Sequence, residues 1–184
     1  MNQISKSKLS LIVFLTLFSC GIVFHVNPAT ASETVSLGEK ENIFSKKVTD
    51  LAEWFIDLPY KFGGDATNTS EIDNSHLICL IYGEAAKKAD FRFSGYMTMK
   101  NLLQNTQEID PHDIKVGDLI VLQNDHAALI YKFESDSKFY MIYASEKRQK
   151  VFSFNSHNAV YNAYWLKNLK GFFRLSNHML VPAE

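Results

Sequence analysis

The stretch Ile72-Asp73-Asn74-Ser75-His76-Leu77-Ile78-Cys79-Leu80-Ile81-Tyr82 constrains this chain more than any other. Its first residues are polar and its last are apolar, the pattern of a helix start followed by a helix body. Asp73 or Asn74 is a good N-cap, because a short side-chain oxygen can accept an unpaired amide proton of the first turn. Leu77, Ile78, Ile81 and Ala85 then recur with the period of a helix that has one apolar face. Such a face must be covered, so the rest of the chain has to supply a layer that packs against it.

Upstream, residues 43–58 read as a second helix, with Phe44, Val48, Leu51, Phe55 and Leu58 on one side and Pro59 as its stop. Tyr60-Lys61-Phe62-Gly63-Gly64 runs two aromatic residues into a glycine pair, which implies a backbone turn closed to other side chains. Downstream, residues 97–104 suggest a shorter helix, and from Asp110 the period changes. Short apolar runs at 119–122, 126–131, 138–144 and 171–175, separated by turn residues, read as strands. Residues 157–166 suggest a loop or short helix. Helices first and an antiparallel meander after them predict an α+β domain over residues 43–178, with 179–184 as a tail.

The N-terminus reads differently. Lys6 and Lys8 precede a largely apolar run over residues 9–24, and Ala29-Thr30-Ala31 offers small residues for cleavage. Residues 1–31 are therefore expected to be a signal peptide and residues 32–42 a polar tether. The apolar run is short against the roughly 20 residues of a membrane span, so no span is expected after cleavage. Export, to a periplasm or outside the cell, is the expected localisation. The alternative is a lipoprotein anchored through Cys20, within Leu17-Phe18-Ser19-Cys20-Gly21. If Cys20 leaves with the leader, Cys79 is the sole cysteine and no internal disulfide can form. Stability then rests on the core, for which 14 Phe, 8 Tyr and 2 Trp provide large side chains. The net charge of −1 and the lack of any basic run exclude an electrostatic nucleic-acid binder. No metal site or cofactor is expected.

Five segments together resemble the NlpC family of bacterial cell-wall cysteine peptidases, which have a small papain-like fold. They are Tyr60-Lys61-Phe62-Gly63-Gly64, Asp73-Asn74-Ser75-His76-Leu77, Val116-Gly117-Asp118-Leu119-Ile120, His126-Ala127-Ala128-Leu129-Ile130-Tyr131 and Tyr143-Ala144-Ser145. The resemblance implies a thiolate nucleophile at a helix start, a histidine on an adjoining strand and a third polar group that orients it. A helix N-terminus and a neighbouring imidazole favour a thiolate, which is the physical reason for that arrangement. Carried onto this chain, it assigns the nucleophile's place to Asn74, the histidine to His126 and the third polar place to Tyr143. It also implies that Tyr60, Asp73 and Ser75 hold a substrate's free amino end, with His76 beside the site in the place of a glycine. His112, His157 and His178 fall outside the matched chemistry.

Asn74 carries an amide, which has no ionisable proton near neutral pH and is a very poor nucleophile. Ordinary thiol hydrolysis is therefore expected to be absent, and three readings of function stay open. The first is a pseudoenzyme that binds peptidoglycan stem peptides, or a protein partner in the envelope. The second is an amide or ester hydrolase that uses Ser75 or Cys79 on such peptides. The third is a secreted scaffold that retains only the fold. All three rest on one geometric expectation, that Asn74 at a helix mouth faces His126 from a neighbouring sheet.

Overall fold

The structure is a computed structural model that describes residues 35–68 and 70–183. The expected leader, its Ala29-Thr30-Ala31 cleavage site and Cys20 lie outside the described residues.

Helix α1 (Leu37–Phe55) begins earlier than its apolar stripe suggests, because Ser36 is extended and its hydroxyl accepts the Glu39 N–H at 3.3 Å. Residues 37–42 are thus helical, which corrects the expected tether. The first turns stand mostly exposed, so they carry no apolar period to reveal them. Phe44, Val48, Ala52 and Phe55 form the buried stripe. Helix α2 (Asn74–Lys88) is capped by Asp73 and buries Leu77, Ile78, Cys79, Ile81, Tyr82, Ala85 and Ala86. That is more than one stripe, since α2 contacts α1, the short strand β1 (Phe91–Phe93) and the main sheet. The Tyr82 hydroxyl donates to the Gly117 carbonyl at 2.7 Å, so its buried polar tip is satisfied within the core.

After helix α3 (Met99–Gln104) come strands β2 (Thr106–Ile109), β3 (Leu119–Leu122), β4 (Ala127–Ser135), β5 (Lys138–Ser145), β6 (Lys150–Asn155), β7 (Leu169–Leu175) and β8 (Leu180–Pro182). Six of them form one antiparallel sheet in the order β2-β7-β3-β4-β5-β6. β1 pairs with β8 in a separate two-stranded ribbon, which corrects the expected tail at 179–184. Strands β1, β2 and β8 have three or four residues each, too few for alternation to be legible.

All four residues of β3 are buried, because both faces of the sheet are covered. One face packs Leu119, Leu129 and Ile142 against the helices. The other packs Ile120, Ile130, Met141 and Phe154 against Tyr161 and Trp165 of a short π-helical turn, Tyr161–Trp165. The architecture is α+β, with the N-terminal helices on an antiparallel sheet. Among the described residues, no helix is long and apolar enough to cross a membrane.

Candidate functional site

The glycine pair explains how α2 begins where it does. Gly63 has φ +70°, and a Cβ on Gly64 would meet the Lys61 and Glu71 carbonyl oxygens at 2.9 Å. This tight loop brings the Gly63 N–H to Asp73 Oδ2 at 3.0 Å. The other oxygen, Oδ1, accepts the His76 N–H at 2.8 Å and the Ser75 hydroxyl at 2.9 Å. Burial pushes the Asp73 carboxyl up, but the His76 N–H and the Ser75 hydroxyl outweigh it and hold it below the usual range. His76 Nδ1 lies 3.0 Å from Asp73 Oδ1 without hydrogen-bond alignment, so the two attract only when the imidazole is protonated.

Asn74 occupies the first turn of α2 and points at the sheet. Its Nδ2 donates to the Ala127 carbonyl of β4 at 2.8 Å, and its Oδ1 accepts the Ala144 N–H of β5 at 2.9 Å. These strands pair directly at Leu129 with Ile142 and at Ile130 with Met141. The same register continued would set Ala127 opposite Ala144, where the side-chain amide stands instead. Asn74 therefore acts as an inserted peptide group that links two strands at the sheet's end and pins α2 to both.

A cleft of about 570 Å³ opens beside this bridge. Tyr60, Asn74, His126 and Tyr143 all line it, as do Glu146, Lys147, Arg148, Val160, Tyr164 and Trp165. Asn74 and His126 thus both line this cleft. His126 precedes β4 in an exposed turn, where its N–H donates to Asn124 Oδ1 at 3.4 Å and its carbonyl accepts from Leu122 at 2.8 Å. Its imidazole takes no hydrogen bond among the described residues, and Tyr143 does not orient it. The Tyr143 ring meets Phe152, Phe154 and Trp165 edge to face, at 6.4, 5.9 and 5.4 Å between centroids. Burial, then the Glu146 charge and then Asp73, push the Tyr60 phenol above its ordinary value.

The remaining expected residues lie elsewhere. Neither Asp73 nor Ser75 lines the cleft, and both are occupied in the cap of α2. His76 stacks on Tyr96 at 3.8 Å and 11°, and borders a separate hollow of about 340 Å³ with Cys79. A residue two places along a helix from Asn74 projects about 200° away from it, which is why His76 misses the cleft. Cys79 is 4% exposed and donates to the Met97 carbonyl at 3.5 Å. Burial, reinforced by Asp73, pushes its thiol up, which opposes thiolate formation.

Sequence reasoning missed the Glu146–Arg148 wall and the Val160–Trp165 wall. The first had a signal in its run of charges directly after a strand. The second comes from a distant segment and had none.

No protein-family profile matches the chain, and neither does any curated protein. Solved structures do. A Staphylococcus aureus protein of the NLP/P60 family, described as similar to lipoprotein, is 24% identical, with TM-score 0.52 over 73% of this chain and 42% of its own. A Bacillus cereus NlpC/P60 family protein is 18% identical, with TM-score 0.51 over 71% and 39%. The peptidoglycan hydrolase RipB of Mycobacterium tuberculosis is 19% identical, with TM-score 0.50 over 76% and 67%. The chain thus spans about two fifths of the length of the first two. The fold is of the NlpC type, as the five segments imply.

Proposed function

We propose that this chain is an exported, non-hydrolytic member of the cell-wall peptidase fold that binds peptidoglycan stem peptides in the cleft lined by Tyr60, Asn74, His126 and Tyr143. The observation that carries the reading is the double hydrogen bond of Asn74. In the nucleophile's place stands an amide, a very poor nucleophile, and both its polar ends hold backbone. His126 has no thiol to activate and no partner to orient it, so the general-base role lacks both neighbours. What remains is a formed cleft with aromatic walls and a few polar groups, the usual make-up of a ligand site. The NlpC-type fold, shared with a peptidoglycan hydrolase, supports a cell-wall peptide as the ligand class. The basic, apolar leader and its small-residue site support export to the envelope.

Hydrolysis through Ser75 or Cys79 has no geometric support. The Ser75 hydroxyl donates to Asp73 outside the cleft, and Cys79 is buried with a raised pKa. The deciding experiment incubates the full-length chain with a synthetic stem peptide, following heat of binding and new chromatographic products together. The expected result is saturable binding with no product over many hours. Product formation that Ser75→Ala or Cys79→Ala abolishes would replace this reading with a hydrolase. An absence of both heat and product would leave only a scaffold. Asp73→Ala is expected to lower stability, with no change in affinity beyond that of the folded fraction.

A further inference from the structure

The turn between β5 and β6 is tied down at several points. Ser145 is buried and accepts the Arg148 N–H on its hydroxyl at 3.2 Å. The Gln149 N–H donates to the Glu146 carbonyl, and the Gln149 carbonyl accepts the Tyr60 N–H. Lys150 pairs with Asp57 just beyond. A turn anchored in this way presents its side chains from a fixed backbone.

Two of those side chains are cations on the cleft wall, Lys147 and Arg148. The Arg148 guanidinium carbon sits over the Phe152 ring, 4.0 Å from its centroid. Stacking of this kind holds the planar fork in place and leaves its edge donors available. Neither cation makes an ion pair or side-chain hydrogen bond among the described residues. By contrast, nearby Lys150 and Lys170 are paired with Asp57 and Asp125. The nearest acidic wall residue is Glu146, likewise without an ion-pair partner among the described residues.

We infer that Arg148, assisted by Lys147, is a carboxylate-recognition subsite of the cleft, and that the ligand is a short peptide carrying a free carboxylate. A prepositioned guanidinium with open donors matches the two oxygens of a carboxylate. Glu146 in the same turn repels a polyanion, which argues for a single carboxylate over a phosphate chain. The aromatic walls at Tyr60, Tyr164 and Trp165 suit a peptide body. The inference rests on the binding function proposed above and names the feature of the peptide that is read.

The test titrates the full-length chain calorimetrically with a synthetic stem peptide and with its analogue in which every carboxylate is a carboxamide. The wild type is expected to bind the carboxamide analogue about tenfold more weakly. Arg148→Gln should lose a similar factor toward the acid peptide and bind both peptides alike. Arg148→Lys should recover part of the loss, since an ammonium cannot form the forked pair. Equal affinity of the wild type for both peptides would overturn the carboxylate subsite while the peptide-binding function stands. Binding of neither peptide would overturn both. A discrimination that survives Arg148→Gln, Lys147→Gln and their combination would remove this corner from the site.

Discussion

Asn74 does with one side chain what neither a thiol nor a carboxylate could do. A thiol offers one weak donor and one weak acceptor on a single atom, whereas the amide reaches a carbonyl and an N–H on two strands at once. Asn74→Ala should therefore lower unfolding stability by about 2–3 kcal/mol, measured by denaturant titration, because two backbone groups lose their partner together. Asn74→Asp should cost at least as much at neutral pH, since an ionised carboxylate would face the Ala127 carbonyl. Part of that loss should return on acidification, when the protonated acid can again donate. An Asn74→Ala midpoint within error of wild type would show that the strands close on each other without the bridge.

At the level of elements, α2 depends on the Asp73 carboxylate, which accepts from the Gly63 N–H, the Ser75 hydroxyl and the His76 N–H. The Asp73 pKa lies below its unfolded value, so its contribution is complete above about pH 4 and is lost as pH falls through the folded pKa. Asp73→Asn should flatten the acid limb of a stability–pH curve below about pH 4 and leave its shape near pH 7 unchanged. An unaltered acid limb would mean that other carboxyls dominate acid unfolding. At the head of α1, Ser36→Ala should cost about 0.5–1 kcal/mol, read from thermal or denaturant unfolding, because it removes only an exposed cap. The edge strand β6 is capped by the chain itself: Asp57 donates to the Val151 carbonyl and Val151 donates to the Leu58 carbonyl. The loop that leads to Tyr60 thereby also closes one end of the sheet's exposed edge.

Over residues 35–183, a sheet covered on both faces divides the core into two layers, one against α1 and α2 and one against the π-helical turn. Cys79 lies inside that core and reports on its opening. In a chain carrying Cys20→Ser, Cys79 should resist a thiol-specific reagent under native conditions and react at once in denaturant. Fast native labelling would mean that the α2 face opens locally. It would also revive the thiol as a reactive group.

Much of this was legible in residue order, and the limits of legibility are physical. The start of α2, the glycine turn, β3 and the helices-then-sheet order follow from local rules of capping, period and backbone freedom. Those rules act within a few residues and need no knowledge of the partner. By contrast, α1 ends at Phe55, before the stop expected at Pro59, and Asp57 turns the chain with φ +69°. Which side each residue of the α2 start would face was not legible. Asp73, Asn74, Ser75 and His76 are adjacent in the chain, yet the helix turns Asn74 to the cleft, draws Asp73 and Ser75 into the cap and sends His76 to Tyr96. The same holds for the cleft's far wall. Val160, Tyr164 and Trp165 reach the cleft only because the sheet's other face needed a cover, a demand that arises when distant segments pack.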